Sequence, residues 1–372
     1  MAGEHRKMID AGKRIRVLIV DDSAFARIMI AKHLANDAQI EIAGTARDGL
    51  DAIEKIKVLK PDVVTLDVEM PKLDGVTALQ RIMAEYPTPV VMLSNLTAEG
   101  ADVTIRALEI GAVDFFLKPS LINPTGSLET DAELIQKIKQ ASKIDVAKVT
   151  SRLQRIVADL QRSKKKLPAN NSSGQGKLNR VVIIGSSTGG PRALYEVVPN
   201  LPADLQAAVL IVQHMPPKFT KSIAERLDEI SQIHVKEAEL GDRVSLGQAL
   251  IAPGGFHMVM KPNGQISLNQ DKPRCGLRPA VDVTMESASK VYGSRCLGVI
   301  LTGMGSDGTE GAAMIKAGGG MILAEDESTC VVYGMPRSVA EAGLVDKVVP
   351  LNRIVEEITA ACRKPSESMV RI

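Results

Sequence analysis

Residues 181–191 read VVIIGSSTGGP, an apolar run followed by a glycine-rich turn and a proline. Four consecutive apolar residues bounded by glycine are consistent with a buried strand, and Pro191 suits the first turn of a helix. The turn between them satisfies G-x-S-x-G, with Ser187 at its centre. A strand, a sharp turn and a helix are the context that presents a serine hydroxyl at the edge of an α/β sheet. The stretch therefore predicts an α/β fold with a nucleophilic serine.

Further apolar runs follow this stretch and are separated by longer segments. They lie at Ala208–Val212, Leu250–Ala252, Leu297–Leu301 and Met321–Ala324. The repeated order of strand, helix and strand predicts a doubly wound, Rossmann-like parallel sheet.

The N-terminal part of the chain alternates in the same way over residues 15–120. Its apolar runs are Val17–Val20, Ile40–Gly44, Val63–Leu66, Val90–Leu93 and Val113–Leu117. Helical patterns include Phe25–Leu34, Gly49–Leu59, Leu79–Tyr86 and a last helix through Leu134–Ile144. Five strand–helix repeats predict a second parallel sheet, covered on both faces. We therefore predict α/β domains at 14–142 and 179–368, joined by a flexible linker at 143–178.

Composition narrows the class of protein. The 372 residues are 45% hydrophobic and 24% charged, which is typical of a globular protein, and suit two domains. A net charge of +2 gives no reason to expect a nucleic-acid partner, and the basic run at 163–166 is predicted to be a solvated surface. The sequence shows no signal peptide and no apolar stretch of membrane-spanning length. We expect a cytoplasmic protein whose four cysteines are free thiols.

Charged and polar residues stand at the ends of four N-terminal strands. They are Asp21, Asp22, Asp67, Ser94 and Lys118. Because the carboxyl ends of parallel strands meet at one edge of a sheet, we expect these side chains to converge. Clustered carboxylates repel one another and need a cation, and oxygen ligands favour magnesium. A carboxylate in this place can attack phosphorus, and Lys118 would neutralise charge on the acyl phosphate.

These residues, with DVEMPKLDG at 67–75 and Lys118-Pro119, resemble a two-component receiver domain across residues 15–140. The resemblance implies a flavodoxin-like fold with Asp67 as the phosphoacceptor. It implies a magnesium site formed by Asp21, Asp22, Asp67 and the backbone carbonyl of Glu69. It further implies that the phosphoryl group is sensed by Ser94 and Lys118, with Phe115 at the switch-aromatic position.

A nucleophilic serine needs a base and a carboxylate that orients it. His214 follows the second apolar run of the C-terminal part, and His257 is the rival base. Asp307 would orient the base from the glycine-rich loop after the fourth run. Two other interpretations of residues 185–190 stay open: a phosphate-binding loop and a plain strand–helix turn. No lysine follows the glycines as a P-loop requires.

Five stretches resemble the catalytic domain of the chemotaxis protein-glutamate methylesterase family. They are residues 185–190, 213–217, 252–254, 301–308 and 331–336. The resemblance covers residues 15–355 when the receiver is included. It implies a triad of Ser187 as nucleophile, His214 as general base and Asp307 as its orienter, assisted by Thr188 and the backbone amide of Met304. Ser186 and Ser306 depart from the small apolar residue and the asparagine expected at their positions.

The family implies a phosphorylation-activated hydrolase that removes methyl esters from chemoreceptor glutamates and deamidates receptor glutamines, with no cofactor for the ester chemistry. Its implied partners are a chemotaxis histidine kinase and methyl-accepting chemoreceptors, so any membrane association would be through these receptors. We expect a monomer. A response regulator with a DNA-binding output and a nucleotide-binding α/β enzyme are the alternatives from other classes.

Overall fold

The computed structural model describes residues 14–118, 128–144, 146, 178 and 180–363. The chain splits into two compact units. The first comprises residues 1–96 and 110–150, and the second comprises residues 97–109 and 151–372. The predicted linker at 143–178, with its basic run, lies almost entirely outside the described residues.

The described part of the first unit is built on a parallel sheet. Its strands are β1 (Ile15–Val20), β2 (Ile40–Ala46), β3 (Val63–Asp67), β4 (Val90–Ser94) and β5 (Asp114–Leu117), in the order β2-β1-β3-β4-β5. The helices along this stretch of chain are α1 (Ala24–Leu34), α2 (Gly49–Leu59), α3 (Gly75–Glu85), α4 (Ala98–Ile110) and α5 (Leu128–Ala141). Residues 97–109, nearly all of α4, group with the second unit. The strand order reverses between β1 and β3, so a crevice opens at their carboxyl ends.

Short polar side chains begin the helices that follow β1, β2 and β3. Ser23, Asp48 and Asp74 each accept a hydrogen bond from a backbone amide of the helix they precede. Such caps satisfy amides that have no partner within the helix. Every residue of β3 and β4 is buried, which is why both strands are mostly apolar in the sequence.

The described part of the second unit contains a seven-stranded parallel sheet in the order β14-β13-β12-β6-β7-β9-β8. Its strands are β6 (Arg180–Ser186), β7 (Ala207–Gln213), β8 (His234–Glu237), β9 (Gln248–Ile251), β12 (Cys296–Ile300), β13 (Met321–Glu325) and β14 (Lys347–Val349). An antiparallel hairpin joins β10 (His257–Met260) to β11 (Ile266–Asn269). The helices are α6 (Gly190–Val197), α7 (Phe219–Ile230), α8 (Val281–Tyr292), α9 (Thr309–Ala317), α10 (Met335–Glu341) and α11 (Leu351–Cys362).

This sheet places the candidate catalytic residues beyond the carboxyl ends of neighbouring strands. From β6 the chain builds outward through β7 to β8 and β9, then returns to add β12, β13 and β14 on the other side. Ligands bind where the strand order of such a sheet reverses, beyond the carboxyl ends of the strands. The reversal lies at β6, whose neighbours are β7 and β12. The loops after these three strands therefore meet.

Both predicted sheets are present, and α3 begins four residues before the predicted Leu79. The four cysteines are unpaired. Within the described ranges, no helix has the length and apolar character that crossing a bilayer requires.

Candidate phosphorylation and active sites

The carboxylates predicted to bind magnesium lie together in the first unit. Asp21 and Asp22 follow β1, and Asp67 is the last residue of β3. One carboxylate oxygen from each lies within 4.8 Å of the others. Asp21 and Asp67 are buried, whereas Asp22 is exposed. This set of hard oxygen donors, open to solvent on one side, fits a magnesium ion that keeps part of its water shell.

Lys118 lies against the two buried carboxylates. Its Nζ is 2.9 Å from Oδ2 of Asp21 and 2.7 Å from Oδ2 of Asp67. Burial raises the pKa of Asp67 to about 6, although the ammonium of Lys118 opposes the rise. Burial alone would lower the pKa of Lys118, but its contacts with both carboxylates raise it. Lys118 thus carries the positive charge that clustered anions require.

The remaining predicted receiver residues lie on β4, on β5 and shortly after β3. Ser94 ends β4 and is buried, and Phe115 is a buried residue of β5. The backbone amide of Glu69 lies 3.4 Å from Oδ1 of Asp67, and the Glu69 side chain is exposed. The exposed side chain is compatible with the expected role of Glu69, which involves only its backbone carbonyl.

In the second unit, Ser187 lies on the turn between β6 and α6. The turn ends at Gly189, whose φ of 78° favours glycine. A Cβ at this position would also lie 2.4 Å from the Val331 side chain. The Ser187 amide donates to the carbonyl of Thr302 (3.1 Å), and the Thr302 hydroxyl donates to the carbonyl of Thr188 (3.0 Å). The loop after β12 thereby holds the serine turn.

The structure brings His214 and Asp307 together across 93 residues of sequence. Nε2 of His214 lies 2.7 Å from Oδ2 of Asp307, and both side chains are almost fully buried. The other ring nitrogen, Nδ1, is buried and has no hydrogen-bond partner among the described residues. Because the carboxylate engages Nε2, Nδ1 is the atom available to accept a proton. His257, the rival base, is buried and has its Nε2 3.3 Å from the carbonyl of Lys272.

Asp307 is held at the start of α8, a contact that the sequence analysis did not predict. The amides of Val281 and Asp282 donate to its two oxygens at 2.6 and 3.0 Å. Burial alone would raise the pKa of Asp307, but the hydrogen bond with His214 and these amides lower it. A helix N-terminus stabilises a negative charge, so Asp307 stays ionised.

Asp282 accepts hydrogen bonds from backbone amides at the start of α9, as Asp307 does from amides at the start of α8. Its Oδ1 accepts from the amides of Gly308 (2.9 Å) and Gly311 (2.6 Å), which fixes the chain directly after Asp307. Burial raises the pKa of Asp282 to about 6. The sequence signal was an acidic residue in the first turn of a helix, which is common enough to escape notice.

A buried acid lies behind the serine turn. Glu325 ends β13, and its Oε2 accepts from the Thr302 amide at 2.8 Å. Burial raises the pKa of Glu325 to about 7, with Glu196 adding to the rise and Arg192 opposing it. Glu325 therefore binds its proton more tightly in the folded protein than in the unfolded chain.

This shift predicts a pH-dependent difference in stability between the wild type and Glu325→Gln. Between about pH 4.5 and 7 the unfolded chain has released the Glu325 proton while the folded protein retains it, so the wild type loses stability as pH rises. Glutamine still accepts from Thr302 but does not titrate. The free energy of unfolding of Glu325→Gln, relative to that of the wild type, should therefore increase by up to roughly 3 kcal/mol between pH 4.5 and 8. Urea unfolding of both proteins measures this gap, and a gap independent of pH would contradict the assignment.

The loop after β12 also contains Met304. Its side chain is partly exposed, and it lies between Gly303 and Gly305. An added Cβ at Gly303 would lie 2.9 Å from the Ser187 Cβ, so glycine allows this loop to approach the serine. The chain segment predicted to supply an oxyanion-hole amide thus runs beside Ser187.

Comparison with known proteins identifies both domains. The family model for the CheB methylesterase matches residues 182–358, and the model for the response regulator receiver domain matches residues 17–124. A protein-glutamate methylesterase/protein-glutamine glutaminase of Symbiobacterium thermophilum is 51% identical over 93% of this chain and 97% of its own length. One of the same description from Pyrococcus abyssi is 46% identical over 94% of each chain.

The crystal structure of the Thermotoga maritima CheB methylesterase catalytic domain is 50% identical. It covers 49% of this chain and 98% of its own, with a TM-score of 0.48. Identity above 45% across nearly the full length of the two curated relatives decides the family. The chain belongs to the CheB methylesterases, the protein-glutamate methylesterase/protein-glutamine glutaminase family, and carries a response regulator receiver domain ahead of the hydrolytic one.

Proposed function

We propose that this protein hydrolyses methyl esters of glutamate side chains in chemoreceptors through Ser187, His214 and Asp307. Receptor glutamines are deamidated by the same residues, and phosphorylation of the receiver increases the activity. The observation that carries the proposal is the 2.7 Å contact of His214 with Asp307 beside the turn that presents Ser187. The partners of the protein are a chemotaxis histidine kinase, which is the phosphodonor, and the receptors, which are the substrates. The reaction takes place in the cytoplasm.

The ester reaction begins at the Ser187 hydroxyl. Its Oγ attacks the ester carbonyl carbon while Nδ1 of His214 takes the proton. The adduct then breaks its bond to the methoxy oxygen, and His214 returns the proton so that methanol leaves. Water attacks the acyl-serine and gives a proton to Nδ1, which passes it to the departing Ser187 oxygen. Free enzyme and a glutamate side chain result.

The same residues serve glutamine. The leaving group is then the amide nitrogen, which departs as ammonia after receiving the proton from His214. Negative charge develops on the carbonyl oxygen in both reactions, and a preorganised backbone amide stabilises it. We assign this role to the amide of Met304, and we assign Thr188 to positioning the base.

Asp307→Asn should reduce turnover by up to roughly 10⁴-fold, as the loss of the orienting carboxylate does in a serine triad. The asparagine amide can donate to Nε2, which would leave the proton on Nδ1 where a base is needed. Methanol release under saturating substrate measures turnover. Turnover within about tenfold of the wild type would contradict the assignment. Asp271→Asn, in an exposed loop, provides the matched control.

In the receiver, the Asp67 carboxylate attacks the phosphorus of the phosphohistidine donor. The phosphorus–nitrogen bond breaks, its electron pair stays on the histidine nitrogen, and Asp67 becomes an acyl phosphate. Lys118 pairs with the new negative charge, and Ser94 donates a hydrogen bond to a phosphoryl oxygen. Asp21, Asp22, Asp67 and the carbonyl of Glu69 would hold magnesium. When bound, this ion supplies positive charge that offsets the repulsion between the carboxylates and the donor. Phe115 follows the state of the site as the switch aromatic.

Two measurements test the proposal. Methanol release from methylated chemoreceptor should occur, and should increase when a small acyl-phosphate donor and magnesium are added. A fluorophosphonate should label Ser187, as found by peptide mapping. Protein that binds nucleotide with a rise in thermal stability, but releases no methanol and takes no label, would instead favour the nucleotide-binding alternative.

A further inference from the structure

Gln213 ends β7 at the point where the parallel ladder of β6 and β7 ends. It pairs in register with Ser186, the last residue of β6. The residue that follows each strand has a proposed catalytic role, Ser187 after β6 and His214 after β7. The last backbone hydrogen bond between them runs from the His214 amide to the Ser186 carbonyl at 3.1 Å. Beyond this bond, the backbone ladder no longer holds the two turns together.

The Gln213 side chain spans the two turns. Its Nε2 donates to the Ser187 carbonyl at 2.9 Å and to the His214 carbonyl at 3.2 Å. Its Oε1 accepts from the Ser186 hydroxyl at 2.7 Å. Because carbonyl oxygens only accept, the amide nitrogen must face them, so the orientation of the amide is determined. A single side chain thus binds the backbone of both the nucleophile and the base.

Packing holds the amide in place from the other side. Gln213 and Ser186 are almost completely buried. A Cβ on Gly190 would lie 2.0 Å from Oε1 of Gln213, so the first residue of α6 leaves room for this amide. The Gly190 amide also donates to the Ser187 carbonyl, at 2.7 Å, so that carbonyl accepts two hydrogen bonds. A buried polar group with several satisfied bonds has few alternative positions.

We infer that Gln213 is a positioning residue that sets the separation of Ser187 from His214. The inference rests on the proposed function, because it assigns a role in the same reaction. Gln213 does not touch the substrate, so its loss should lower kcat and leave KM nearly unchanged. A displacement of about 1 Å in a reacting group can reduce the rate by roughly 10²-fold.

Two variants of Gln213 remove the clamp in different ways. Gln213→Met is similar in length and makes none of the three bonds. Gln213→Glu can still accept from Ser186, but its carboxylate cannot donate to the two carbonyls. We expect kcat for methanol release to fall roughly 10²-fold in both, with KM within about twofold of the wild type. The matched control is Ser186→Ala, which loses one bond but keeps both carbonyl contacts, and its kcat should fall less than about fivefold.

Thermal unfolding is measured for each variant, and rates are given per folded protein. Wild-type kcat in a folded Gln213→Met would overturn the inference and leave Gln213 with a role in stability alone. If Gln213→Met does not fold, Gln213→Glu decides. Failure of both to fold would also overturn the inference, because the residue would then serve the fold rather than the site. A wild type that neither releases methanol nor takes a fluorophosphonate on Ser187 would instead contradict the proposed function.

Discussion

Ser187→Ala and His214→Ala should each abolish nearly all methyl-ester hydrolysis, and the double variant should cost little more. In the proposed mechanism the two residues act in one step, since the hydroxyl is a poor nucleophile until Nδ1 of His214 takes its proton. Removing either residue therefore abolishes the route through an acyl-serine. Little activity then remains for the second substitution to reduce. In serine hydrolases such losses reach roughly 10⁶-fold in turnover.

Methanol release and fluorophosphonate labelling measure these losses together. Ser186→Ala tests whether the neighbouring Ser186 hydroxyl is the nucleophile. This variant should retain label at Ser187. His257→Ala tests the rival base, whose Nε2 lies near a backbone carbonyl. Wild-type rates in His214→Ala, combined with an inactive but folded His257→Ala, would show that the base is misassigned.

Asp67→Asn should eliminate phosphoryl uptake by the receiver, the second large effect. Asp67 ends β3 with its carboxylate against Lys118 and close to Asp21 and Asp22. An asparagine amide at this position is a much poorer nucleophile toward phosphorus. Chelation of magnesium should also prevent uptake, because the carboxylates would then repel the donor.

Uptake is measured as stoichiometric label from a small phosphodonor. Asp51→Asn provides a matched control, since Asp51 lies in α2 and pairs with Lys55 away from the cluster. Asp22→Asn retains the acceptor but removes one expected magnesium ligand, so it should need more magnesium for the same uptake. Full labelling of Asp67→Asn would contradict the choice of acceptor.

The main strands could be predicted because they are buried. Most were recognisable as an apolar run followed by a polar or glycine residue, as at Val181–Ile184. The hairpin strands β10 and β11 and the edge strands β8 and β14 were missed. β8 reads HVKE and β14 reads KVV, and both are short and partly exposed. A strand at the margin of a sheet needs no continuous apolar run, so the sequence carries little signal there.

The candidate site was predictable where a residue follows directly from a strand end. Ser187, His214 and Asp67 were predicted as site residues in this way, because parallel strands bring their carboxyl ends to one edge. Gln213 and Asp282 were missed as partners of the proposed triad. A polar residue ending the apolar strand β7 was the available signal for Gln213, but its bonds depend on the backbone of a different strand.

The sequence by itself determined the alternation of strands and helices, the receiver and methylesterase resemblances, and the residue types that can carry each chemistry. These properties depend on local patterns of burial and on short motifs whose residues are close together in the sequence. Only the tertiary structure decided that Asp307 engages Nε2 of His214, that α8 holds Asp307, and that Gln213 bridges two turns. The contacts of Asp307 with His214 and with α8, and that of Gln213 with Ser187, join residues 25 to 93 positions apart. They depend on sheet order and side-chain orientation. No local pattern encodes such distances, because the intervening chain can vary without changing where the strand ends meet.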